Sequence, residues 1–160
     1  MTRCCQLALL ALVLEGCASV AWLLHPPARL APCPGPIPST AALPPGDGRW
    51  HDRVRYRGGA VDVGFALVAE RQSDRLVLVA LNNFGARAFT VTQQEQQVTV
   101  DSRLGRALQV PPETVLRDWH AVHDDDVVVD VDAASDAPAR LEIARPECGY
   151  TATFVVEDTR

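Results

Sequence analysis

The sequence predicts a mainly β domain with one helix, an α+β fold built as a curved antiparallel sheet with the helix packed on one face. Three observations predict it. Apolar residues recur with a period of two along most of residues 53–156, which marks strands with one buried face. Short turn signals separate these runs, as in an antiparallel meander. A single stretch near residue 115 has helical spacing instead.

The elements follow in chain order. The folded domain is expected over 49–160, beginning near Trp50. Arg53 to Arg57 alternates polar with apolar, and Gly58-Gly59 is a hairpin signal. Val61, Val63, Phe65 and Leu67 then point one way, while Asp62, Gly64 and Ala66 point the other. Ser73-Asp74 turns the chain into Leu76 to Leu81, which is apolar on both faces and therefore expected to be central. The turn Asn82-Asn83-Phe84-Gly85 leads into a strand with Phe89 and Val91 inward, and Val98 and Val100 mark the next strand. Pro111 and Pro112 suit the first turn of a helix, where a missing N–H costs nothing, and Glu113 complements its positive end. Val115, Leu116, Trp119 and Val122 share one face, and the helix is expected to end near His123. Three strands are expected after it, around Val127 to Val131, Arg140 to Ala144 and Tyr150 to Val156, the last with Tyr150, Phe154 and Val156 inward.

The residues before this domain carry an export signal. Met1 to Cys5 hold one positive charge, Arg3, and Leu7 to Leu14 is wholly apolar. A charged start and a short apolar core form a secretory signal peptide, here residues 1–16. The core ends in Leu14-Glu15-Gly16-Cys17, which resembles a lipobox, where the Cys thiol is acylated and the chain is cut before it. Leu14, Gly16 and Cys17 match; Glu15 stands where a small or apolar residue is usual. Two alternatives stay open. One is ordinary cleavage to a soluble periplasmic protein. The other is an uncleaved anchor from Gln6 to Leu24, which would place Glu15 near the bilayer midplane at high cost. Ala18 replaces the Asp that often retains lipoproteins at the inner membrane, so the expected location is the outer membrane, periplasm-facing and lipid-anchored.

Residues 17–48 join anchor to domain and are rich in proline. Eight of the twelve prolines fall between His25 and Gly48. Such a segment is either a stiff polyproline tether or a strap wrapped along the domain. Once Cys4 and Cys5 leave with the leader and Cys17 is acylated, Cys33 and Cys148 remain. They are either a disulfide pair, which requires the wrapped version, or two separate buried thiols.

Composition excludes several functions. Of 160 residues, 48% are apolar and 22% charged, as in an ordinary globular protein. The net charge is −5, and all 15 basic residues are Arg. An acidic chain without a basic stripe is poorly suited to nucleic acid or to anionic head groups. The expected partners are apolar cargo or another protein.

The order and spacing of several short pieces resemble an uncharacterised family of small bacterial lipoproteins with a LolB-like fold, often encoded beside aryl-polyene or fatty-acid-like biosynthesis genes. The pieces are Leu43-Pro44-Pro45, Leu81-Asn82-Asn83-Phe84-Gly85 with Ala88-Phe89-Thr90-Val91, and Val110-Pro111-Pro112-Glu113 with Val115-Leu116-Arg117-Asp118. Leu141-Glu142-Ile143, Gly149-Tyr150 and Thr153 complete the set. The resemblance implies a LolB-like half-barrel that holds acyl chains on its concave face. On that expectation Val63, Phe65, Leu67, Phe89, Val91, Tyr150 and Phe154 line an apolar cavity, capped by Leu116 and Trp119. The sequence departs from the family after the helix, where Asp124-Asp125-Asp126 follows at once in place of a longer Trp/Leu-rich segment.

Catalytic and metal chemistry find little support. His120, His123 and Asp124 have helical spacing, but two His at a helix end are expected to be surface residues. Asp124, Asp125, Asp126, Asp130, Asp132 and Asp136 lack the glycine turn and terminal Glu of a calcium loop. Arg103 and Arg106 around Gly105 read as a polar loop before they read as an anion site. There is no GxSxG elbow. The expectation is a non-enzymatic protein without metal or cofactor, either a carrier of hydrophobic cargo or a scaffold that binds another envelope protein.

Overall fold

The computed structural model describes residues 27–44, 46–123 and 138–159. The leader, Cys17, the strand expected at Val127 to Val131 and the acids from Asp124 to Asp136 lie outside the described residues.

Among the described residues, seven antiparallel strands form one sheet in the order β5-β4-β3-β2-β1-β7-β6, open at both edges and not closed into a barrel. The strands are β1 (Gly48–Gly58), β2 (Val61–Gln72), β3 (Arg75–Leu81), β4 (Arg87–Gln94), β5 (Gln97–Ser102), β6 (Arg140–Arg145) and β7 (Tyr150–Thr159). The expected meander is there, running from β1 to β5. The hairpin β6–β7 then returns to the other side of β1, where Val54 faces Phe154 and Tyr56 faces Ala152. β1 begins earlier than the alternation at Arg53 suggested, because Gly48 to Asp52 pairs with Leu67 to Arg71.

Period-two patterning decides which face is buried. On β2, Val61, Leu67, Ala69 and Arg71 are buried while Asp62, Ala66 and Glu70 are exposed. On β3, Leu76, Leu78 and Ala80 are buried, and Val77, Val79 and Leu81 stay half-buried on the outer face. The turn between β1 and β2 uses Gly59 at φ +55°, a conformation L side chains rarely adopt. Gly58 is required for another reason: a β-carbon there would run into the Gly149 carbonyl and the Leu30 side chain.

The one α-helix among the described residues, α1 (Pro112–His123), lies against the inner face and starts and ends as expected. Pro112 opens it, and the Pro111 carbonyl accepts from the Thr114 and Val115 N–H groups at 3.0 and 3.2 Å. Burial is not confined to one stripe. Thr114, Asp118 and His120 are buried along with Val115, Leu116, Trp119 and Val122.

The second layer over α1 comes from residues 27–44, which take the wrapped form. Leu30, Cys33 and Leu43 join the core. Because a proline-rich strand has few N–H donors to offer, it is held through its carbonyls. Arg117 on α1 donates to the carbonyls of Cys33 (2.6 Å) and Gly35 (3.0 Å). Gln93 on β4 donates to Pro38 at 2.6 Å, and Arg71 on β2 donates to Leu43 and Pro44. A disulfide joins Cys33 to Cys148, with a Cα–Cα distance of 5.4 Å.

The registers sort the loops into two ends. At one lie the β1–β2 turn, residues 82–86, the β5–α1 loop, the β6–β7 turn and the start of the strap, where the Leu30 N–H donates to the Gln109 carbonyl at 2.8 Å. At the other lie the β2–β3 and β4–β5 turns and the end of the strap, where Thr40 donates to the Asp74 carbonyl at 3.0 Å.

Candidate functional site at the open end of the sheet

β3 is shorter than β2, and the difference makes an opening. β3 stops at Leu81, which pairs with Ala66, so residues 61–65 of β2 have no strand beside them on that side among the described residues. An apolar pocket of about 160 Å³ fills this gap on the inner side, lined chiefly by Val63, Phe65, Phe89, Leu104, Leu108 and Val110. A hollow of about 390 Å³ with a mixed wall, Arg53, Asn82 and Asn83 beside Val54, Gly64, Phe65 and Ala66, lies beside the same opening.

Of the nine residues expected to line a cavity, the structure brings Val63, Phe65 and Phe89 together at this pocket. Phe65 stacks on Tyr56 with ring centroids 6.0 Å apart and meets Phe89 edge-on, also at 6.0 Å. Leu67, Val91, Leu116, Trp119, Tyr150 and Phe154 are in the buried core, each at 4% exposure or less. There the helix and strap fill the sheet's inner face.

Two buried carboxylates pin α1 to that face, and sequence reasoning singled out neither. Asp118 accepts hydrogen bonds from Tyr150 Oη (2.8 Å), Tyr56 Oη (3.2 Å) and Arg145 Nε (3.2 Å). Burial raises its pKa, and the three donors oppose the rise. Burial and the nearby carboxylate push both phenols up, Tyr56 well above its ordinary value. Asp52 on β1 accepts from Trp119 Nε1 at 3.0 Å and bonds His123 Nε2 at 3.1 Å.

The histidines therefore differ from the surface reading. His120 is fully buried and bonds Gln93 at 2.7 Å, while the His123 side chain is 7% exposed and lies on Trp119, ring centroids 4.6 Å apart. The strap and sheet close over a helix end that the sequence left to solvent. The two rings go to different partners, on β4 and β1. The Arg103-Gly105-Arg106 loop bends at Gly105, φ +46°, with Arg103 exposed.

A family model described as "Protein of unknown function (DUF3261)" matches residues 51–153. The chain belongs to this family. No curated protein matches it. The DUF3261 match spans the sheet from β1 into β7, with the open-end pocket, α1 and both carboxylate clusters. The strap lies outside the match, although Arg71, Gln93 and Arg117, which hold it, lie inside.

A signal for the missed polar residues was present in their parity. Arg71 continues the inward series Val61 to Ala69, and Gln93 continues Phe89 and Val91. A polar residue in step with an inward series needs a partner inside, because burying it unbonded is costly.

Proposed function

We propose that this DUF3261 protein is a non-enzymatic, outer-membrane, periplasm-facing lipoprotein, anchored through Cys17, that holds the apolar end of an acyl-chain-like cargo in a LolB-like half-barrel. The observation that carries the reading is the pocket of Val63, Phe65, Phe89, Leu104, Leu108 and Val110 at the gap where β3 stops short. Its size sets the cargo. A cavity of about 150 Å³ lined by apolar side chains admits a benzene ring, so about 160 Å³ takes the last few carbons of a chain and not a whole lipid. Mostly apolar, preformed concavities are where such ligands bind.

A fluorescent fatty-acid titration of the delipidated protein tests this. Saturable binding is expected, and Ala107→Phe, which adds a ring to the pocket wall, should weaken it at least about tenfold, the equivalent of 1.4 kcal/mol. No saturable binding, or binding unchanged by Ala107→Phe, rejects the cargo site. The anchor has its own test. Metabolic labelling with a palmitate analogue should mark the wild type and not Cys17→Ser.

A second reading is a scaffold that binds another envelope protein. Residues 61–65 of β2 favour it, because a strand edge without a partner is a template for an added strand.

A further inference from the structure

We infer that the open end of the sheet docks on an anionic lipid surface, the arginines of its loops facing the head groups. The inference rests on the membrane anchoring proposed above, and three independent features converge on this end.

The first is where the chain leaves. Leu30 is pinned beside Gln109 and Gly58, so the strap begins at the same end as the pocket, with Ala28 still packed on the core. From Cys17 to Leu30 an extended chain reaches at most about 45 Å. The strands of β1 and β2 are themselves roughly 35–40 Å long. Turning the far end to the membrane would draw the tether taut along the whole side of the domain, whereas the near end needs little of its length.

The second is charge. Taken over the whole chain, the charge of −5 argues against anionic surfaces. The fold separates that charge by end. Loops at the open end carry Arg29 and Arg103, both exposed, against one acid, Glu147. Described turns at the far end carry Asp47, Asp74 and Glu95 and no arginine. A lipid surface senses the loops that approach it, since screening cuts off charges more than about 10 Å away.

The third is apolar exposure. The two large apolar side chains exposed among the described residues, Phe84 at 95% and Leu104 at 46%, both belong to open-end loops. Neither the strap nor α1 covers them.

Hydrogen exchange on the full acylated chain in phosphatidylcholine vesicles with one third phosphatidylglycerol tests the orientation. Protection relative to detergent should appear at 82–86 and 103–107, and not at 73–74 or 95–96. Protection at the far turns, or equal protection at both ends, overturns it. Sedimentation of the unacylated Cys17→Ser chain with the same vesicles tests the head groups. Partitioning should fall about tenfold or more in pure phosphatidylcholine, and likewise for Arg29→Gln with Arg103→Gln, at about 1 kcal/mol per arginine. Phe84→Asp should weaken it without moving the melting temperature; unchanged partitioning in these variants rejects the surface. Phe84 is not in the pocket wall, so Phe84→Asp should leave fatty-acid binding intact. Lost vesicle binding with retained fatty-acid binding confirms docking as separate from the cargo site. The reverse, docking without fatty-acid binding, removes the cargo reading alone.

Discussion

Single residues decide whether α1 stays on the sheet. Asp118 holds two phenols and a guanidinium, so its acceptors are satisfied although it lies out of water. Both phenols ionise near 10 in the unfolded chain and higher in the folded one. Above pH 10 the unfolded state has lost protons that the folded state keeps, so stability falls as pH rises, by up to about 2.7 kcal/mol per pH unit for two groups. Tyr150→Phe should halve that slope, read from melts between neutral and alkaline pH. It should cost about 1 kcal/mol at neutral pH, where one hydrogen bond is lost. Asp118 acts at the acid side with the same sign: its raised value means stability is lost as pH rises from the ordinary carboxylate range through the folded pKa. Asp118→Asn should flatten that limb. At the pocket, Phe89→Ala should cost about 3–5 kcal/mol, since Phe89 is 2% exposed. Phe65→Ala, half-buried, should cost about 1–2 kcal/mol and weaken fatty-acid binding more than its melt suggests. The apolar inward set was legible because alternation is a local property of the chain. The pairing of Asp118 with Tyr56 and Tyr150 was not, because those residues are 62 and 32 positions from it and only the folded sheet brings them together.

Among the elements, α1 and the meander were readable from their periods, and the strap only in part. Proline marks an extended segment, but whether it stands free depends on carbonyl-reading side chains elsewhere, here Arg71, Gln93 and Arg117. The helix departs from simple amphipathicity because polar residues flanking its apolar stripe find partners on the sheet: Asp118 bonds Tyr56, Tyr150 and Arg145, and His120 bonds Gln93. The strap's bond at Cys33–Cys148 spans 115 residues. The chain-entropy model values such a closure at roughly 4–5 kcal/mol. Cys33→Ser should lower the melting temperature accordingly, and so should reductant on the wild type, while the variant should be insensitive to reductant. Equal melts with and without reductant in the wild type would show that the carbonyl contacts alone hold the strap.

For the molecule as a whole, the opening beside β2 was beyond sequence reasoning because it arises from a difference in strand length, five residues of β2 that run past the end of β3. Loop polarity was equally hidden, since net charge averages over ends that only the fold defines. The topology also governs how the protein is made. β1, the first of the described strands, sits between β2 and β7, and β7 is the last of them to be synthesised. Until Tyr150–Thr159 appears, one edge of β1 has no partner, Asp118 lacks Tyr150, and Cys33 has only just gained Cys148 to pair with. Non-local pairings of this kind are slow to form. On the export proposed above, a chain threaded outward N-terminal side first would thus stay pliable while most of the domain crossed, and would set only when Tyr150–Thr159 arrived on the far side.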